Sequence, residues 1–163
     1  MKISFIGGGG FMRHDIEVGE QWIIPAENFS GGYIESRLLQ APEPIRPFLR
    51  STLSYLYLDD GAKTLDRERL IASRPYLTPA ELIVVRWLHT RSNGSERKNY
   101  GPDCVVSAKK TRYRCNRCKF PDVRVLQLDH VNGRGEGVKR EFECLCANCH
   151  MVKSRENDWS KPS

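Results

Sequence analysis

Two Cys-x-x-Cys pairs, Cys115/Cys118 and Cys146/Cys149, constrain this chain more than any other feature it carries. Each pair can form a metal knuckle, and at this separation the two knuckles can close on one tetrahedral zinc ion. Cys144 precedes Cys146 by two residues and competes for the metal, but the matched spacing favours Cys146. His150, directly after Cys149, is an alternative ligand in place of Cys149 or Cys146, although two intact pairs already fill a tetrahedral site. Cys104 has no partner and reads as a buried or surface thiol. Six cysteines in metal spacing without a secretory signal point to a reducing interior, so the protein is expected in the cytoplasm with structural zinc and no disulfides. The apolar start Ile3-Ser4-Phe5-Ile6 is too short for a membrane span or a signal core.

Between and beside the knuckles lie residues that carry chemistry. Val123 to Leu128 is β-rich and reads as a strand, Asn132 to Gly137 as an open loop, and about Val138 to Leu145 as a second strand. Cys149 to about Asn157 contains no Gly or Pro and suits a short helix. Lys153 lies three residues beyond His150 on the same helix face, where it can meet a phosphate. Asp129 and His130 would face opposite ways on a continuing strand. Both can serve one site only if the strand ends there, and Asn132-Gly133 makes that ending plausible.

The stretches Leu128-Asp129-His130-Val131-Asn132-Gly133 and Leu145-Cys146-Ala147-Asn148-Cys149-His150-Met151-Val152-Lys153 resemble the HNH endonucleases of the ββα-metal superfamily, and the resemblance runs from about Tyr113 to Asn157. Phosphodiester hydrolysis needs an activated water, a cation on the phosphate and stabilisation of the leaving oxygen. His130 can accept a proton near neutral pH, while Asp129 and His150 offer an oxygen and a nitrogen ligand to a divalent ion. The resemblance implies these roles: His130 as general base, Asp129 and His150 holding Mg2+ or Mn2+, and products bearing a 5′ phosphate and a 3′ hydroxyl. The asparagine that the family usually carries nine residues before the final histidine is Glu141 here. In the family that asparagine mainly holds the shape of the loop around the base.

Charge is unevenly distributed. Of the net +6, residues 1–80 carry 9 Lys+Arg against 10 Asp+Glu, and residues 81–163 carry 17 against 10. The basic excess therefore sits with the zinc and Asp-His motifs, as a polyanion-binding region would. Lys109, Lys110, Arg112, Arg114, Arg134, Arg140 and Lys153 are the candidate DNA contacts, against the alternative that the run from Arg86 to Arg117 is only a solvated basic linker.

The first half is less specific. Gly7 to Gly10 follows a strand-like start, but no G-x-G-x-x-G register closes on glycine, so a mobile loop or strand turn is expected. Glu17 to Ile24 and Gly32 to Ile34 have β character, and Ala41 to Pro47 reads as an extended connector. Asp66 to Ser73 predicts a short helix. Thr78-Pro79-Ala80-Glu81 is a capping box that opens a helix over Leu82 to Thr90, closed by Asn93-Gly94. Leu82, Val85, Trp87 and Leu88 read as its core face, and His14 and His89 as surface or core histidines.

The expectation is an α+β chain with a mixed N-terminal region at 1–92, a basic linker at 93–110, and a zinc-stabilised ββα-metal module at 111–163. Its expected partner is DNA, with a larger phage or bacterial defence assembly as the setting if it works as a subunit, and no membrane. The competing expectation is a non-catalytic zinc-ribbon protein that binds DNA or assists packaging.

Overall fold

The computed structural model describes residues 2–6, 13–58, 67–87, 102–131 and 141–159. The chain opens on a hairpin of β1 (Lys2–Ile6) and β2 (Arg13–Glu17), paired antiparallel from Lys2↔Glu17 to Ile6↔Arg13. The glycine run at 7–10 lies outside the described residues. Of the β character expected over Glu17 to Ile24, the end of β2 and a single antiparallel bridge from Ile23 to Asp122 are realised, with a 3-10 turn at Glu20–Trp22 between them. Gly32 to Ile34, expected as β, instead leads into helix α1 (Tyr33–Leu38).

The prolines at 42, 44 and 47 do not make an extended connector: they introduce α2 (Arg46–Tyr57). Pro47 stands in the first turn, where an amide hydrogen would have no helical partner anyway. Leu49, Thr52, Leu53 and Leu56 then recur at i, i+3, i+4 and i+7, and all four are buried. Helix α3 (Arg67–Ser73) lies where a short helix was expected. Helix α4 (Pro79–Trp87) is opened by the expected capping box: the Glu81 amide donates to Thr78 Oγ1 at 3.2 Å and the Thr78 amide to Glu81 Oε2 at 2.8 Å. Its expected close at Asn93-Gly94, with Leu88 and His89, falls outside the described residues.

Glu81 also anchors a buried polar network. Arg37 donates to its two oxygens at 2.7 and 3.0 Å, and the Tyr57 and Tyr33 hydroxyls donate to Oε1 at 2.8 and 3.2 Å. Burial works against the Arg37 charge, but Glu81 more than offsets it and the guanidinium is held more firmly protonated than usual. Three helices are thereby fixed around one satisfied carboxylate.

The segment 93–110 is not a linker throughout. Residues 102–110 form helix α5 (Pro102–Lys110), with Val105 and Ala108 fully buried. Lys109 Nζ donates to the carbonyls of Tyr55 and Leu58 at 2.7 and 2.8 Å, and Tyr113 Oη to that of Leu56 at 2.5 Å. These are carbonyls at the end of α2, which a helix cannot satisfy internally and whose partial negative charge favours a cation.

Val123–Val125 is a 3-10 turn whose Arg124 amide donates to the capping Asp122 side chain, so the strand expected from Val123 starts at Leu126. Strands β3 (Leu126–His130) and β4 (Phe142–Cys146) pair antiparallel, and α6 (Ala147–Trp159) follows β4 directly. The expected order of strand, strand and helix is present, while the loop at 132–140 lies outside the described residues. Ile24, Leu53, Leu56, Val84, Val105, Tyr113, Cys115, Val123 and Leu145 belong to one core cluster. The fold is thus α+β, and its core runs across the boundaries expected near 92 and 111. Among the described residues no helix is long and apolar enough to cross a membrane.

Candidate functional site

The backbone enters the first knuckle through Arg112 and Tyr113 in the left-handed region, at φ 51° and 57°. That conformation is strained for residues with a side chain, and the fully buried Tyr113 with its hydroxyl on α2 offsets it. The Cys115 amide donates to the Phe120 carbonyl and the Lys119 amide to the Cys115 carbonyl, each at 2.9 Å, with Lys119 at φ 61°. The Asn116 amide donates to the Cys144 carbonyl at 2.8 Å, which stitches this knuckle to β4. The second knuckle straddles the junction of strand and helix: Cys146 ends β4 and Cys149 sits in the first turn of α6.

The sulfurs of Cys115, Cys118, Cys146 and Cys149 all lie within 4.8 Å of one another, and those of Cys118 and Cys146 are 3.6 Å apart. Zinc–sulfur bonds of about 2.3 Å in a tetrahedron put sulfurs roughly 3.8 Å apart, so this donor set fits one zinc ion. Neither Cys144 nor His150 belongs to the cluster. Cys144 is buried opposite Leu128 in the β3–β4 ladder. Burial opposes ionisation of Cys115, but the backbone amides of Cys118, Cys146 and Arg117 overcome it and lower its thiol to about 7. Burial pushes Cys149 up to about 11, and raises Cys146 with help from the Cys115 charge. Four clustered sulfurs form a site that a divalent cation would complete.

The β3–β4 register arranges the Asp-His pair. Asp129 stands opposite Glu143 and His130 opposite Phe142, so the two neighbours take opposite faces. On one face, Asp129 Oδ1 is 3.4 Å from His150 Nε2, which α6 delivers immediately after its cysteine knuckle. On the other, the His130 ring packs against Phe142 with centroids 4.7 Å apart. Both Asp129 and His130 lie within β3, which ends at His130, so their side chains leave the strand on opposite faces; the Val131 amide still donates to the Glu141 carbonyl at 2.9 Å. Glu141 thus meets the residue that follows β3 through its main chain.

Lys153 was expected to meet a phosphate. It is 9% exposed, and its ammonium lies 2.7 Å from Asp129 Oδ2, 2.8 Å from Glu143 Oε1 and 2.6 Å from the His130 carbonyl. Burial disfavours its charge, but the two carboxylates prevail and raise its pKa. Burial likewise opposes the Glu143 charge, and hydrogen bonds from Lys153 and from Asn116 Nδ2, the latter at 3.0 Å, lower its pKa.

Lys109, expected to contact DNA, is half-buried, and its ammonium bonds the carbonyls at the end of α2. Lys110 and Arg112 are exposed, Arg112 with its guanidinium 5.9 Å from the Phe29 ring, and Arg114 is half-buried. Arg134 and Arg140 lie outside the described residues, as does the Cys104 side chain. Sequence reasoning missed Glu143, Asn116 and Phe142. The alternation Phe142-Glu143-Cys144-Leu145-Cys146 carried a signal for the first, because it puts Glu143 on the face opposite Cys144. Only the pairing register of β3 with β4 brings it to Asp129. No protein-family model matches the chain, and no curated protein or solved structure is similar to it.

Proposed function

We propose that this chain is a metal-dependent DNA endonuclease of the HNH type, built on a zinc-stabilised β3–β4–α6 unit. The observation that carries this reading is the approach of Asp129 Oδ1 and His150 Nε2 to 3.4 Å beside the strand end that bears His130. Two donors bound to one ion at about 2.1 Å each stand roughly 3 Å apart, so the pair suits Mg2+ or Mn2+. When bound there, the ion would neutralise charge on the scissile phosphate and stabilise the departing 3′ oxygen. His130 takes the proton of the attacking water, leaving a 5′ phosphate and a 3′ hydroxyl, and its contact with Phe142 limits the orientations its ring samples. Lys110, Arg112 and Arg114, together with Arg134 and Arg140, supply phosphate contacts that hold DNA without reading its sequence.

A zinc-ribbon protein that binds DNA or assists packaging without cutting is the second reading. It is favoured by one observation, the Lys153 ammonium 2.7 Å from Asp129 Oδ2. A labelled-duplex cleavage assay on zinc-loaded protein separates the two. His130→Ala should slow cleavage by about 10²–10⁴-fold, since that is what a general base contributes. Its DNA affinity should stay within about twofold, because a neutral imidazole releases no counterions. Asp129→Ala and His150→Ala should instead raise the Mn2+ concentration needed for half-maximal rate. Cleavage by His130→Ala at the wild-type rate would remove the assignment.

A further inference from the structure

We propose that Lys153 is the positioning residue of this site: its ammonium fixes the end of β3 and fills the space between Asp129 and Glu143 with positive charge until a divalent cation enters. The inference rests on the nuclease reading for what the geometry is used for, but not for the geometry itself.

Three contacts converge on one nitrogen. The bond to the His130 carbonyl, at 2.6 Å, acts on the backbone of the residue read as the base. The ion pair with Asp129, at 2.7 Å, engages the oxygen that His150 does not approach. The ion pair with Glu143, at 2.8 Å, crosses to the other strand, where Asn116 Nδ2 from the first zinc knuckle holds the second carboxylate oxygen at 3.0 Å. A chain of polar contacts therefore runs from that knuckle through Glu143 and Lys153 to the main chain of His130. Lys153 also shares α6 with Cys149 and His150, so the helix that completes the zinc site delivers the ammonium.

Two consequences have opposite signs. A cation this close to Asp129 repels and competes with a divalent ion, so removing its charge should strengthen metal binding. Removing the same group releases the His130 carbonyl and the cross-strand tie, so the base should lose its position and the reaction should slow. A residue that only stabilises the fold would not separate these effects. One that contacts phosphate would leave the turnover at saturating DNA unchanged and make the salt dependence of DNA binding shallower by roughly one unit.

The test uses the zinc-loaded full chain and Mn2+ as the probe, followed by electron paramagnetic resonance of the free ion, alongside single-turnover cleavage at saturating Mn2+ and DNA. For Lys153→Met we expect Mn2+ affinity to rise by about threefold or more. Cleavage should fall by about tenfold or more, with zinc content and DNA affinity retained. Lys153→Arg, which keeps the charge, should restore the wild-type Mn2+ affinity. Should the methionine variant fail to retain zinc, Lys153→Gln carries the Mn2+ arm of the test, because it removes the charge, and Lys153→Leu carries the cleavage arm, because it removes the donor to the His130 carbonyl as well. Unchanged or weaker Mn2+ binding in the uncharged, zinc-replete variants would overturn the proposal, as would an undiminished cleavage rate in a variant that lacks the donor to the His130 carbonyl. If the wild-type protein cuts no DNA with any metal, the nuclease reading falls, and the Mn2+ comparison alone still upholds or overturns the role of Lys153 in the cradle.

Discussion

Lys109 and Lys110 are adjacent in sequence and differ entirely in their surroundings, the first bonded to two carbonyls at the end of α2 and the second exposed. Lys109→Met should therefore destabilise the protein by about 2–4 kcal/mol, since hydrogen bonds from a charged donor contribute more than neutral ones. It should leave the salt dependence of DNA binding unchanged. Replacing Lys110, Arg112 and Arg114 together with alanine should do the reverse: little change in urea midpoint, and a log–log salt slope shallower by roughly two to three units. A slope that moves with Lys109 alone would reverse these roles. The same division decides what could be read at this scale. Cysteine spacing alone picked out the four cysteines that cluster, because knuckle geometry is local to each pair. The partners of Lys109 and Lys153 could not be read, since a lysine on a charge-rich stretch looks the same whether it faces water or a carbonyl far along the chain.

Among the elements, those whose signals are local were legible. The capping box at Thr78–Glu81 opens α4 as expected because its two hydrogen bonds lie within four residues. Helix α2 was not legible: three prolines suggested extended chain, whereas two of them occupy a 3-10 turn and a first helical turn, positions that tolerate proline. Nor was the second use of Glu81, whose partners Arg37, Tyr33 and Tyr57 come from two other helices. Arg37→Met strands that carboxylate in the core and should cost about 3–5 kcal/mol in urea unfolding. Changing Glu81→Leu in the same chain should recover part of the loss, because the stranded charge is removed with it. A double variant no more stable than Arg37→Met would show that the network contributes more than the avoided burial of a single charge.

Across the whole molecule, one core cluster joins the helices before residue 92 to the β3–β4–α6 unit, with Tyr113 and Cys115 as members. Zinc should therefore support more than its own knuckles. Chelation, or Cys118→Ser, should lower the stability of the entire chain in a single transition, followed in parallel by helical circular dichroism and by Trp fluorescence; two separated transitions would indicate independently stable parts. The central claim, that this fold carries a cutting site, is tested most directly by incubating the zinc-loaded protein with supercoiled plasmid. The protein should leave the plasmid intact without added metal and convert it to nicked or linear product once Mg2+ or Mn2+ is supplied, with 5′ phosphate at the new ends. Intact plasmid under every metal, from protein that keeps its zinc and still binds DNA, would contradict the account and leave the binding reading in its place.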